Sequence, residues 1–156
     1  MSEYFAIISL TSGRALRAPN HNIHSEVILL PFDEGDNQFW FWDGSNLRSK
    51  KHPNKVLDFD FYKWKKYGQG IVQLYDYSNK ANQRWKMYDD EFIVLYQNLR
   101  LEDIGGTCVR CKKVSNQKQQ KWAVEVTMKR QAFLFQIHPI LILEIFWFQK
   151  YHLQNH

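Results

Sequence analysis

Apolar side chains along this chain recur two and three residues apart, and the same arrangement is written three times. Three sixteen-residue stretches, "SEVILLPFDEGDNQFW", "GIVQLYDYSNKANQRW" and "TCVRCKKVSNQKQQKW", end at Trp40, Trp85 and Trp122 and align without gaps. Val27, Val72 and Val109 coincide, as do Leu29, Leu74 and Cys111, and then Phe32, Tyr77 and Val114. Steps of two, or of two and then three, are the spacing of strands with one face buried. Upstream of each stretch lies a second similar one, "GRALRA", "NKVLDF" and "NLRLED", in which Leu16, Leu57 and Leu101 align. Before these come the strand-like runs "YFAIISL", "FWFWDGSNLRS" and "EFIVLYQ".

Turn residues separate the runs: Thr11-Ser12-Gly13, Asp43-Gly44-Ser45, His52-Pro53-Asn54 and Gly105-Gly106. No segment before residue 129 shows a sustained helical period. The pattern predicts an all-β fold of three copies of about 40 residues, since short strands at this spacing build sandwiches, barrels and related closed architectures. Each copy ends on Gln-x-Trp, at Gln38 and Trp40, Gln83 and Trp85, and Gln120 and Trp122, with 45 and 37 residues between successive tryptophans.

The chain has 156 residues, 44% of them apolar and 16% aromatic, enough for a buried core. Residues 1–128 hold 18 basic and 15 acidic side chains and the remainder 3 and 1, so the formal charge of +5 is spread thinly. That falls short of a nucleic-acid footprint, and no nucleic-acid partner is expected. Cys108 and Cys111 are the only cysteines, which excludes a disulfide framework and a four-cysteine zinc site. Three residues apart on a strand, their side chains point to opposite faces, so the reading is structural packing rather than a redox or metal pair. The opening "MSEYFAIISLTSGR" lacks the features of a secretory signal, which points to a cytoplasmic protein or one secreted without a leader. The six histidines form no recognisable cluster with a nucleophile or ligand set.

Three Gln-x-Trp copies in register, each behind an aligned strand block, resemble the ricin B-type lectin family, a β-trefoil. The resemblance covers residues 1–128, and residues 129–156 would be an atypical apolar C-terminal tail. It implies that each Trp fills the core near a pseudo-threefold axis while each Gln fixes backbone beneath it. It also implies a non-catalytic, cofactor-free protein whose partners are glycans or glycoconjugates of galactose or GalNAc type. In that family the sugar is held by an acid after the conserved Leu, by Gln-x-aromatic on the middle strand, and by an Asn before Gln-x-Trp. The second copy has the whole set: Asp58, Gln73, Tyr75, Asn82 and Gln83. By resemblance Asp58 accepts from two sugar hydroxyls, Tyr75 stacks beneath the ring, Asn82 donates to or accepts from a hydroxyl, Gln73 bonds at the rim, and Gln83 orients the site. Asp60 in "LDFDF" is an alternative acid.

The first copy has Arg17, Ile28 and Leu30 at these positions and keeps only Asn37, so no sugar site is expected there. The third has Glu102 or Asp103 near the acid position, with Arg110, Lys112 and Gln119 in place of Gln, aromatic and Asn. A neutral sugar does not suit that set; an anionic ligand is conceivable. The longer second-copy loop carries Lys63-Trp64-Lys65-Lys66-Tyr67, where Trp64 either extends the site rim or folds back onto the barrel. In the tail, "AFLFQIHPILILEIFWFQKY" is broken by Gln136, His138, Pro139, Glu144 and Gln149 and makes a poor membrane span. It reads either as a short helix after Pro139 packed on the domain or a partner, or as an atypical terminus that adds aggregation risk, with membrane association through the tail the less favoured alternative. Two alternative functions follow: a protein-interaction module whose sugar site is vestigial and whose tail docks, and binding of anionic polymers through Lys63 to Lys66 and Lys112-Lys113.

Overall fold

The computed structural model describes residues 2–21 and 24–126. Twelve strands occur among them, four per copy. The first copy holds β1 (Phe5–Ser9), β2 (Ala15–Arg17), β3 (Ile28–Leu30) and β4 (Trp40–Asp43). The second holds β5 (Asn46–Ser49), β6 (Lys55–Phe59), β7 (Val72–Asp76) and β8 (Trp85–Tyr88). The third holds β9 (Glu91–Val94), β10 (Leu99–Asp103), β11 (Val109–Lys112) and β12 (Trp122–Val126). In every copy the middle two strands form an antiparallel hairpin in the same register, with Arg17 opposite Ile28, Asp58 opposite Gln73, and Glu102 opposite Arg110. The outer strands pair between copies, β4 with β5 and β8 with β9, and β12 returns to β1 to close the ring.

The repeated tryptophans join strands that are distant in sequence. Trp40, Trp85 and Trp122 are all buried, and each indole N–H donates to a carbonyl: Leu16 (3.0 Å), Leu57 (2.9 Å) and Leu101 (3.0 Å). These are the three leucines that the sequence places in register. A buried indole needs a partner for its one donor, so the Trp–Leu pair recurs as a unit. Each Gln side chain does the work of a missing backbone pairing. Gln38 donates to Pro31 O and accepts from the Asp33 amide; Gln83 does the same with Asp76 O and Ser78 N, and Gln120 with Lys113 O and Ser115 N, at 2.7–3.0 Å.

A ring of backbone bonds ties the copies together. Leu29 N–H donates to Thr107 O (2.9 Å), Leu74 N–H to Ser25 O (3.2 Å), and Cys111 N–H to Gly70 O (2.7 Å). The donors are the aligned Leu, Leu and Cys, and the acceptors are the first residues of the three aligned stretches. Val27, Val72, Val109, Leu29, Leu74 and Cys111 are buried in one cluster with the tryptophans. Burial pushes the Cys111 thiol far up, out of the range in which it could act as a thiolate, while Cys108 is exposed.

Two expectations need correction. Tyr77 and Val114 are exposed and Phe32 only half-buried, so the third aligned apolar position is not core. After Asp76 the chain leaves β7 for the loop that Gln83 holds, and Tyr77 lies beneath the Arg48 guanidinium instead. The second correction concerns the long loop, which contains a helix, α1 (Phe61–Tyr67). Its ends are fixed by caps rather than by apolar periodicity. Asp60 accepts from Lys63 N–H (3.0 Å) at the start, and Gly68 takes the left-handed conformation (φ 67°) at the end. Among the described residues no helix is long and apolar enough to cross a membrane. The expectations for the 129–156 tail lie outside the described residues.

Candidate functional site

The second copy brings Asp58, Gln73, Asn82 and Gln83 together. Asp58 near the end of β6 faces Gln73 on β7, and a single 3-10 turn, Ala81–Gln83, carries the other two amides over the hairpin. Asp58 Oδ1 accepts from Gln73 Nε2 (2.9 Å), and Oδ2 accepts from Asn82 Nδ2 (3.0 Å) and Gln83 Nε2 (2.8 Å). Asn82 Nδ2 also donates to Phe59 O (3.0 Å).

Counting donors and acceptors shows what each group has left. Gln83 is spent: both amide hydrogens and its oxygen are used within the fold. Asn82 has given both hydrogens and retains its oxygen, so toward a ligand it accepts. Gln73 keeps one N–H and its carbonyl oxygen. Asp58 Oδ1 keeps one acceptor direction. The cluster therefore offers acceptors and one donor at a single spot, a match for neighbouring hydroxyls.

Burial raises the Asp58 carboxyl above its ordinary range, with Gln73 and Gln83 pulling it down, Asp60 pushing it up, and Asn82 pulling it down. Two opposite pH effects follow. A folded-state pKa above the unfolded one means that Asp58 favours folding most at low pH, and that contribution is lost as pH rises through the raised value. Hydroxyl binding requires the ionised form. Ligand affinity should therefore fall on acidification with a midpoint above the unperturbed aspartate value of about 3.9; titration calorimetry across that window checks it, and a midpoint at or below that value would contradict the raised pKa.

Tyr75 lies next along the same strand face, 40% exposed. Its ring is stacked with His24 of the first copy, centroids 4.3 Å apart and planes at 29°, and His24 Nε2 lies 3.3 Å from Asp76 Oδ2. His24 carries no sequence signal for this role, because the contact spans two copies. Asp60 caps α1, and Trp64 packs against Phe59 (centroids 5.7 Å apart), the folded-back alternative of the two.

The other copies differ in charge. Arg17 stands where Asp58 does, and the Asn37 amide, oriented to satisfy its neighbours, turns its oxygen to Arg17 Nε (2.6 Å) and Nη2 (2.9 Å). In the third copy the hairpin register assigns the acid position to Glu102, which accepts from Gln120 Nε2 (3.1 Å) and lies 3.6 Å from Lys112 Nζ. Asp103 points the other way and accepts from Ser9 Oγ (2.6 Å) and the Gly105 amide (2.9 Å). Burial alone would raise its pKa, but those bonds hold it low. Among the described residues no three His, Cys, Asp or Glu side chains gather where they could hold a metal ion.

Comparison with models of known protein families and with curated proteins finds no match. Solved structures do match. The C-half of the earthworm R-type lectin, in complex with GalNAc, superposes with a TM-score of 0.67 at 20% identity, covering 80% of this chain and 99% of that one. The β-trefoil lectin of the Vibrio vulnificus hemolysin/cytolysin, with N-acetyl-D-lactosamine bound, gives 0.69 at 17%, covering 81% and 96%. The designed threefold-symmetric protein ThreeFoil gives 0.66 at 23%, covering 78% and 97%. With four strands per copy, three copies in common register and this likeness to solved trefoils, the chain has the β-trefoil fold.

Proposed function

We propose that this chain is a carbohydrate-binding protein that holds a galactose- or GalNAc-type glycan without catalysis, through one site in its second copy. The observation that carries the reading is the Asp58 carboxylate held by Gln73, Asn82 and Gln83 beside an exposed Tyr75, a combination present in neither other copy. The earthworm and Vibrio lectins that share the fold were solved with GalNAc and N-acetyl-D-lactosamine, which supports the sugar class.

Sugar hydroxyls donate to Asp58 Oδ1 and to Asn82 Oδ1, Gln73 serves as donor or acceptor at the rim, and the apolar face of the ring lies on Tyr75. His24 covers part of that plate, so the sugar takes the face that His24 leaves. Gln83 positions the carboxylate and does not touch the ligand. A single shallow polar site binds weakly, and clustered glycans strengthen it by raising the effective concentration. A glycan array followed by calorimetry on Asp58→Ala combined with Asn82→Ala tests the assignment. Binding should disappear, while retention of wild-type affinity would show that the sugar sits elsewhere.

A further inference from the structure

Between the second and third copies the surface changes sign. Where β7 reads Gln73-Leu74-Tyr75-Asp76, the equivalent stretch of the third copy reads Arg110-Cys111-Lys112-Lys113, so a formal charge of −1 (Asp76) becomes +3 (Arg110, Lys112, Lys113). A cleft of about 410 Å³ separates this stretch from the α1 insertion, with Trp64 and the Gly68–Gln69–Gly70 turn forming the opposite side. The first and third copies have no helix at the position of α1 among the described residues, so the cleft has no counterpart beside them. It shares Arg110 and Lys112 with the third copy's equivalent of the Asp58 site, while that site's Glu102 and Gln120 do not line it.

Its chemistry is cationic and aromatic. No acidic side chain lines the cleft. Arg110 is held in place by Glu26 (2.9 Å), while Lys112 is 54% exposed with Glu102 at 3.6 Å. Lys113 is exposed and forms no ion pair among the described residues. Trp64 is half-buried, anchored on Phe59, and lines the cleft.

We propose that this cleft binds a saccharide carrying a sulfate group, with the sugar ring against Trp64 and the anion on Lys112 and Lys113, flanked by Arg110. A cleft of this volume is in the range that takes a small ligand. The extent of the charge favours a compact ligand over a nucleic acid. The three cations span about 10 Å of strand with a single aromatic side chain. Single-stranded nucleic acids are held by grooves that follow many phosphates and by several stacking platforms. The proposal rests on its own residues and stands whether or not the Asp58 cluster binds a neutral sugar.

The test is calorimetry on the full chain with a sulfated heparin disaccharide, its desulfated counterpart, inorganic sulfate and a short single-stranded oligonucleotide. The sulfated disaccharide should bind best, and more weakly as salt rises. Lys112→Gln combined with Lys113→Gln, both at exposed positions, should weaken it about tenfold or more with the unfolding midpoint unchanged. Equal binding of the sulfated and desulfated forms, or no effect of the two substitutions, overturns the proposal. Inorganic sulfate binding as tightly as the disaccharide would show an anion site without a sugar, and tighter oligonucleotide binding would show a nucleic-acid surface; either result overturns it too.

Discussion

Gly70→Ala should unfold this protein at a markedly lower urea concentration than the wild type, a loss of about 3 kcal/mol or more. A Cβ at position 70 would lie 2.0 Å from Cys111 O, 3.0 Å from Cys111 C and 3.1 Å from Cys111 N. All three atoms are backbone, so no side chain can rotate away. Relief requires β7 and β11 to separate, which breaks the Cys111-to-Gly70 bond in the ring joining the copies. Ser25 and Thr107, the equivalent residues, carry side chains, so the tightness belongs to the second-to-third junction. Gly44→Ala is the control: that glycine has φ 58° with nothing within 4 Å of an added Cβ, and only backbone strain of about 1 kcal/mol applies. An unchanged midpoint for Gly70→Ala would refute the close approach.

Trp40→Ala and Trp85→Ala should destabilise the fold by similar amounts, about 3–5 kcal/mol each, yet differ in function. Both indoles are buried and both donate to an aligned leucine carbonyl. Leu57, the acceptor for Trp85, immediately precedes Asp58, so losing that bond frees the strand that carries the carboxylate. Leu16, the acceptor for Trp40, precedes Arg17 in a copy that lacks the Asp58 cluster. In protein that remains folded, Trp40→Ala should retain glycan affinity and Trp85→Ala should lose most of it. Urea unfolding paired with calorimetry separates the two effects, and equal loss of glycan binding in both variants would show that the Trp–Leu unit supports the site only through global stability.

The three tryptophans and the three leucines were each legible as aligned apolar positions, but the bond between them was not, because Trp and Leu lie 24, 28 and 21 residues apart in the three copies and no single offset marks the pair. The four polar residues of the Asp58 cluster were legible through the family resemblance, and the hairpin ladder that sets Asp58 opposite Gln73 explains why they meet. Helix α1 was not, because seven residues are too few to display a period, and its signals are the capping residues Asp60 and Gly68. Asp60 therefore read as a second candidate acid until its carboxylate was seen to be occupied by a helix amide. The choice between Glu102 and Asp103 depended on which face of β10 each occupies. His24 on Tyr75, like Gly70 against Cys111, is a contact between copies, and no local pattern records which residues meet across such a junction.

The pairing of β1 with β12 runs from Phe5 opposite Val126 to Ser9 opposite Trp122. A nascent chain emerging at about 5–20 residues per second would leave β1 without that neighbour for roughly 6–23 s while the intervening residues are made. Through that interval an apolar strand, Phe-Ala-Ile-Ile-Ser, has an open edge of the kind that recruits other strands. The last strand of the trefoil thus commits the first, and protection of β1 during synthesis becomes a task for whatever meets the chain at the ribosome.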